Sequence, residues 1–158
     1  MEVRIIKSAI TVYQMEELND NDRHLIEQAI EATNNSYVPY SHFHVGSAVR
    51  LENGDVITGC NQENASFPVT ICAERTALFS AGAQQPDKAV VAIAIAARNA
   101  SGLLTDPVTP CGSCRQALVE TEFRHKRKIR ILLYGTKHIF CIDGISNLMP
   151  LSFTDDQL

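Results

Sequence analysis

Apolar positions along this chain recur in two different periods. In DRHLIEQAIEATNNSY (22–37), Leu25, Ile26, Ala29 and Ile30 fall at helical spacing, with Asn21 or Asp22 as a cap, and predict a first helix. From residue 43 the period becomes two. Phe43, Val45, Ser47, Val49 and Leu51 share one face of FHVGSAVRL, and ENGD supplies a hairpin turn before VITGC. ICAERTALFSAG (71–82) reads as a helix, AVVAIAIAA (89–97) as a strand, and PCGSCRQALVETEF (110–123) as another helix. KIRILLYG (128–135) and HIFCID (138–143) read as further strands. Strand, helix, strand, helix, strand implies an α/β fold whose sheet has parallel members covered by helices.

The β-branched stretch VRIIKSAITVYQM (3–15) reads as an added N-terminal strand, followed by the polar punctuation NDND. No repeat, low-complexity tract or linker divides the chain, so one domain is expected over 1–158, with residues 1–20 as an N-terminal extension. A domain of 158 residues buries about two thirds of its unfolded surface unaided. A bound metal would then serve function more than folding. With 14 Lys and Arg against 18 Asp and Glu, the net charge of -4 favours a small-molecule partner over nucleic acid. The first residues lack a signal peptide's apolar core, and no apolar run is long enough to span a bilayer, so a cytoplasmic location with no membrane partner is expected.

Of the five cysteines, Cys60 and Cys141 stand apart from Cys72, Cys111 and Cys114. In a reducing compartment such a cluster points to metal binding or catalysis before disulfides. Cys111 and Cys114, at i and i+3 in the first turn of a helix, present both sulfurs to one side, as tetrahedral zinc requires. A redox pair has the same spacing. Cys72 adds a third thiol at another helix start, where the helix dipole favours a thiolate. Three ligands leave a position for water, the mark of a catalytic site; the competing reading closes the shell with Cys60, His42, His44 or Cys141 and makes it a staple.

Glu74, two residues after Cys72, is placed to shuttle protons beside such a metal, although a first-turn acid can also simply complement the helix dipole. Zinc at +2 with three thiolates carries a net -1, which weakens its Lewis acidity. Arg75 and the two helix N-termini could draw that charge off the sulfurs; otherwise Arg75 is an ordinary ion-pair residue.

A Cys-Ala-Glu triplet followed by Pro-Cys-x-x-Cys is a zinc nucleobase deaminase signature. More narrowly, SYVPYSHFHVGSAV, GCNQENASFPVTICAERTAL and PCGSCRQAL closely resemble the homotetrameric cytidine deaminases, over residues 22 to 153. The resemblance implies a three-layer α/β/α fold with a central mixed five-stranded sheet. It implies that Cys72, Cys111 and Cys114 bind Zn2+ with water as fourth ligand, and that Glu74 carries the water proton to the ring nitrogen beside the amino-bearing carbon. The substrates would be pyrimidine nucleosides, cytidine and 2'-deoxycytidine, deaminated to uridine and 2'-deoxyuridine in salvage.

The same resemblance places Phe43 against the base, has Asn61 and Glu63 hold the ribose hydroxyls, and adds Ala65, Ala73, Phe67 and Phe153 to the pocket, some of them from neighbouring subunits. Without it, Phe43 would be core, and Asn61 and Glu63 ordinary loop residues. Two positions depart from the family pattern. Phe67 stands where tyrosine is common, removing a hydroxyl, and LMPLSF carries Leu151 and Ser152 where smaller residues are usual. Cys60 and Cys141 are expected as small buried hydrophobes, and His24, His125 and His138 on solvated surfaces. His42 and His44 alternate on one strand face and could meet a ligand. Blasticidin-S deaminase shares the metal motif but resembles this chain less around CNQEN. A silent zinc-stabilised interaction module is the alternative outside enzymology, and Glu74 in register with three thiols speaks against it.

Overall fold

The computed structural model describes residues 1–158, the side chain of Asp155 excepted. In chain order the main elements are β1 (Thr11–Tyr13), α1 (Asp20–Ala32), β2 (His44–Leu51), β3 (Val56–Cys60), α2 (Ala73–Gln84), β4 (Val90–Asn99), β5 (Gly102–Leu103), α3 (Gly112–His125), β6 (Arg130–Tyr134) and β7 (Ile139–Asp143). The sheet runs β1-β7-β6-β4-β2-β3, with β5 paired to the end of β4. The five longer strands are those expected from the apolar runs. β1 and β5 add short pairings, and of the N-terminal stretch only Thr11–Tyr13 joins the sheet, on the edge of β7.

β4 and β6 are parallel, while β2 is antiparallel to both β3 and β4. β3, β4 and β6 therefore run the same way, each of the first two feeding a helix that crosses back over the sheet. α2 and α3 lie on one face and α1 on the other, giving three layers. β4 records this division residue by residue: Ile93 and Ile95 pack with Leu78, Ala81 and Leu118 under α2 and α3. Ala92, Ala94 and Ala96 meet Leu25, Ile26 and Ala29 of α1. The small side lets α1 sit close. A Cβ on Gly46 of β2 would lie 2.1 Å from the carbonyl oxygen of Ala29.

The α1 cap falls earlier than expected. Asn19, not Asn21 or Asp22, accepts the Asp22 N–H at 2.9 Å, because the backbone is extended at Asn19 and already helical two residues later. Asp22 is thereby freed for another use. Buried at 1% exposure, it binds Arg50 Nη2 at 3.1 Å and Arg130 Nε at 2.8 Å, tying α1 to β2 and β6. Among the described residues no helix is long and apolar enough to cross a membrane.

Candidate active site

Cys72 and Cys111 are the N-cap residues of α2 and α3, and Cys114 lies in the first turn of α3. A serine or aspartate at either cap would turn its side chain onto the helix amides. Neither thiol does, so both sulfurs remain free to face each other across the gap between the two helices. Cys72 Sγ lies 3.7 Å from Cys111 Sγ, which is 3.5 Å from Cys114 Sγ, and all three fall within 4.8 Å of one another. Zinc–sulfur bonds of about 2.3 Å in a tetrahedron require sulfurs about 3.8 Å apart. The arrangement fits zinc. All five cysteines are free thiols, and among the described residues no His or further Cys joins the cluster, so the staple reading loses its fourth ligand.

The donor set is also prepared for excess negative charge. Arg75 Nη2 reaches Cys72 Sγ at 3.7 Å, and Arg75 Nε is buried without a hydrogen-bond partner among the described residues. The Cys72 thiol is driven down to about 5, first by its hydrogen bond with Cys114 and then by Arg75, against the opposing effect of burial. Cys114 is pushed up, because its hydrogen is shared with the Cys72 sulfur.

Glu74, at 5% exposure, is held above the ordinary carboxyl range, chiefly by burial and also by the Cys72 thiolate. It opens onto a cavity of about 340 Å³ that also presents Cys72, Cys111, Ala73, Phe43, Asn61 and Glu63. That volume suits one small molecule. A larger hollow of about 480 Å³ between α2 and α3 contains none of the thiols and not Glu74, so the chemistry belongs to the smaller one.

The mouth of the cavity is built by hydrogen bonds. Asn61 Oδ1 accepts from Val45 N–H, and Asn61 Nδ2 donates to the Phe43 carbonyl, both at 2.9 Å, so this amide holds the start of β2 as a strand partner would. Glu63 Oε2 accepts from the backbone N–H groups of Tyr40 at 2.9 Å and Ser41 at 3.2 Å. Its carboxyl is lowered, first by the Ser41 hydroxyl.

Seven of the twelve expected residues thus meet in one cavity; Cys114, fully buried, and Arg75 support the thiol cluster without lining it, and Ala65, Phe67 and Phe153 do not line it either. Phe67 is 70% and Phe153 58% exposed. Phe67 instead meets Tyr40 edge-on beside Ser41, Glu63 and Thr70. Ser41, Thr70, Val108 and Thr109 line the cavity without having been singled out. The signal for Thr109 was its place before Pro-Cys, and for Ser41 its place before His-Phe.

His42 and His44 do not share a strand face. His42 sits in the turn before β2 at φ 55°, and His44 Nδ1 is engaged by Ser36 Oγ at 2.6 Å. His24 is exposed, whereas His125 is half-buried and His138 packs on Phe140 at 5.0 Å. Cys141 is buried as expected; Cys60 is only half-buried, at the end of β3.

Residues 19–129 match the family described as the cytidine and deoxycytidylate deaminase zinc-binding region. A cytidine deaminase of Halalkalibacterium halodurans is 50% identical over 134 residues, 85% of this chain and 95% of that protein. The chain belongs to the cytidine deaminase family. A second cytidine deaminase, from Sporosarcina psychrophila, is 42% identical over 85% of this chain and 92% of its own length. The family fold is shared as well. The crystal structure of cytidine deaminase from Burkholderia pseudomallei superposes with a TM-score of 0.70 at 37% identity, covering 82% of this chain and 97% of the other.

Proposed function

We propose that this chain is a zinc-dependent cytidine deaminase, converting cytidine and 2'-deoxycytidine to uridine and 2'-deoxyuridine with release of ammonia. The observation that carries this is the placing of a buried Glu74, its carboxyl held above the ordinary range by burial, beside a three-thiol cluster, in a cavity whose mouth offers Phe43, Asn61 and Glu63. Zinc held by Cys72, Cys111 and Cys114 would supply Lewis acidity, bringing the pKa of a water toward neutrality.

The chain's own residues do the rest. With its carboxyl raised by burial, Glu74 is suited both to accept a proton from water and to return it to the ring nitrogen beside the amino-bearing carbon. The same carboxyl then assists departure of the amino group as ammonia. Phe43 packs on the base, and Asn61 and Glu63 receive the ribose hydroxyls. A site with polar groups set for ribose discriminates against free cytosine, because those groups would be left unpaired. Arg75 offsets the negative charge of the thiolates.

The exposure of Ala65, Phe67 and Phe153 outside the chain's own cavity supports a homotetramer in which these residues complete a neighbour's site. Phe67, lacking a hydroxyl, would bind the ribose end more weakly than tyrosine. We place the activity in the cytoplasm, in pyrimidine salvage. The deciding experiment follows the ultraviolet band of cytidine with zinc-loaded wild type and Glu74→Gln. Loss of the band with wild type alone supports the reading; no change with zinc bound stoichiometrically rejects it.

A further inference from the structure

Arg115 follows Cys114 directly, and its side chain runs back over the start of α3. Its Nε donates to the Pro110 carbonyl at 2.9 Å, and its backbone N–H donates to the Cys111 carbonyl, also at 2.9 Å. One residue thereby closes the turn that carries Cys111 and Cys114 twice. Pro110 is buried and precedes the N-cap of α3, so its carbonyl has no donor within the helix and takes one from this side chain. The other end of the guanidinium, Nη1, donates to the Leu148 carbonyl at 2.7 Å. Gln116, the next residue, donates from Nε2 to the Phe153 carbonyl at 2.9 Å. Two consecutive side chains after a candidate zinc ligand therefore hold both ends of the segment 148–153. Between these anchors Leu151 sits at φ 59° and is 91% exposed. A strained residue of this kind persists only where its surroundings over-determine it, and here its flanks are fixed to α3.

We propose that Arg115 is a positioning residue that joins the zinc-binding turn to the segment presenting Phe153, so that metal binding in one subunit steadies the segment offered to its neighbour. The proposal rests on the deaminase reading, in which the three thiols hold zinc and Phe153 completes an adjoining site. Arg115 does not line the cavity; it acts through the Pro110 and Leu148 carbonyls. Both partners are backbone oxygens on separate parts of the chain, and the planar fork of a guanidinium spans them. A lysine keeps the charge but offers one compact donor group, which cannot hold both in the same geometry.

The test compares zinc-loaded wild type, Arg115→Lys and Gln116→Ala. Zinc release to a chromophoric chelator is expected to be roughly tenfold faster in Arg115→Lys, the lower range for groups that support metal ligands, and unchanged in Gln116→Ala. Hydrogen exchange reads the other end of the link. The Leu148 and Met149 N–H groups both donate to the Ile145 carbonyl, at 2.8 and 2.9 Å. Removing zinc from wild type should speed their exchange, and in Arg115→Lys their exchange should no longer respond to zinc. Both variants should raise KM for cytidine, because each frees one end of the segment. Wild-type zinc release in Arg115→Lys, or a zinc response at Leu148 that survives in it, overturns the proposal alone. Wild type whose Leu148 and Met149 amides ignore zinc does so whether or not the variant folds. Gln116→Ala that sheds zinc as fast as Arg115→Lys does so too, since it marks general loosening of α3. Wild type that retains no zinc overturns the deaminase reading and this proposal with it.

Discussion

Arg75 Nη2 lies 3.7 Å from Cys72 Sγ, one turn back at the start of the same helix. The guanidinium helps hold the Cys72 thiol low, after the Cys114 hydrogen bond. Replacing Arg75 by Gln should therefore weaken zinc binding by about tenfold, in the range typical of groups that support metal ligands. Competition with a chromophoric chelator measures this directly. Equal affinity and an unaltered pH profile of activity would remove Arg75 from the site.

Glu74→Gln should lower kcat by about 10²–10⁴-fold while leaving three thiols to bind zinc, the range expected for one acid-base group. Its effect on stability has the opposite sign. The folded carboxyl titrates above its ordinary value of 4.5, so the unfolded chain loses this proton first as pH rises. Glu74 is therefore neutral in its effect below pH 4.5 and costs stability above it. Zinc-free Glu74→Gln should unfold at a higher temperature than zinc-free wild type at pH 7, and at the same temperature near pH 4.

In the zinc-free protein, Cys72 should be the thiol that reacts under mildly acidic conditions. Its pKa of about 5 makes it largely thiolate at pH 6.5, whereas burial pushes Cys141 up to about 11. Iodoacetamide labelling followed by peptide mass spectrometry should show Cys72 modified ahead of Cys141, with the Cys72 rate falling below pH 5. Prior zinc loading should suppress the reaction.

Gly59 is the contact on which α2 is seated. A Cβ there would lie 2.4 Å from Ala77 N and 2.8 Å from the Ala73 carbonyl oxygen, both backbone atoms that cannot swing away. Gly59→Ala should cost about 2–3 kcal/mol in urea unfolding, as expected for overpacking a tight interior. Because α2 carries Cys72 and Glu74, zinc affinity should fall as well. Gly112→Ala, where a Cβ meets nothing within 4 Å, serves as the matched control.

The chain's apolar periods and its thiol spacing were enough to determine the strand-helix-strand-helix-strand order and to single out the three candidate metal-ligand thiols. Both are local properties: a period of two or 3.6 selects the element, and a cysteine at a helix start presents its sulfur outward whatever the helix packs against. The close meeting of the Cys72 and Cys111 sulfurs was expected from the likeness of motifs, but its distance of 3.7 Å depends on how α2 and α3 lie over one sheet face. That placement is set by contacts such as Gly59 on Ala77, which join parts of the chain that no short window contains.

The cap of α1 at Asn19, the unlike settings of His42 and His44, and the turn whose Tyr40 and Ser41 backbone N–H groups bind Glu63 likewise had no periodic signal. Each depends on a backbone angle or a hydrogen bond formed only when the turn closes. Residue types and periods pointed to the candidate groups. Only the packing of two helices and one turn on the sheet decided where those groups point.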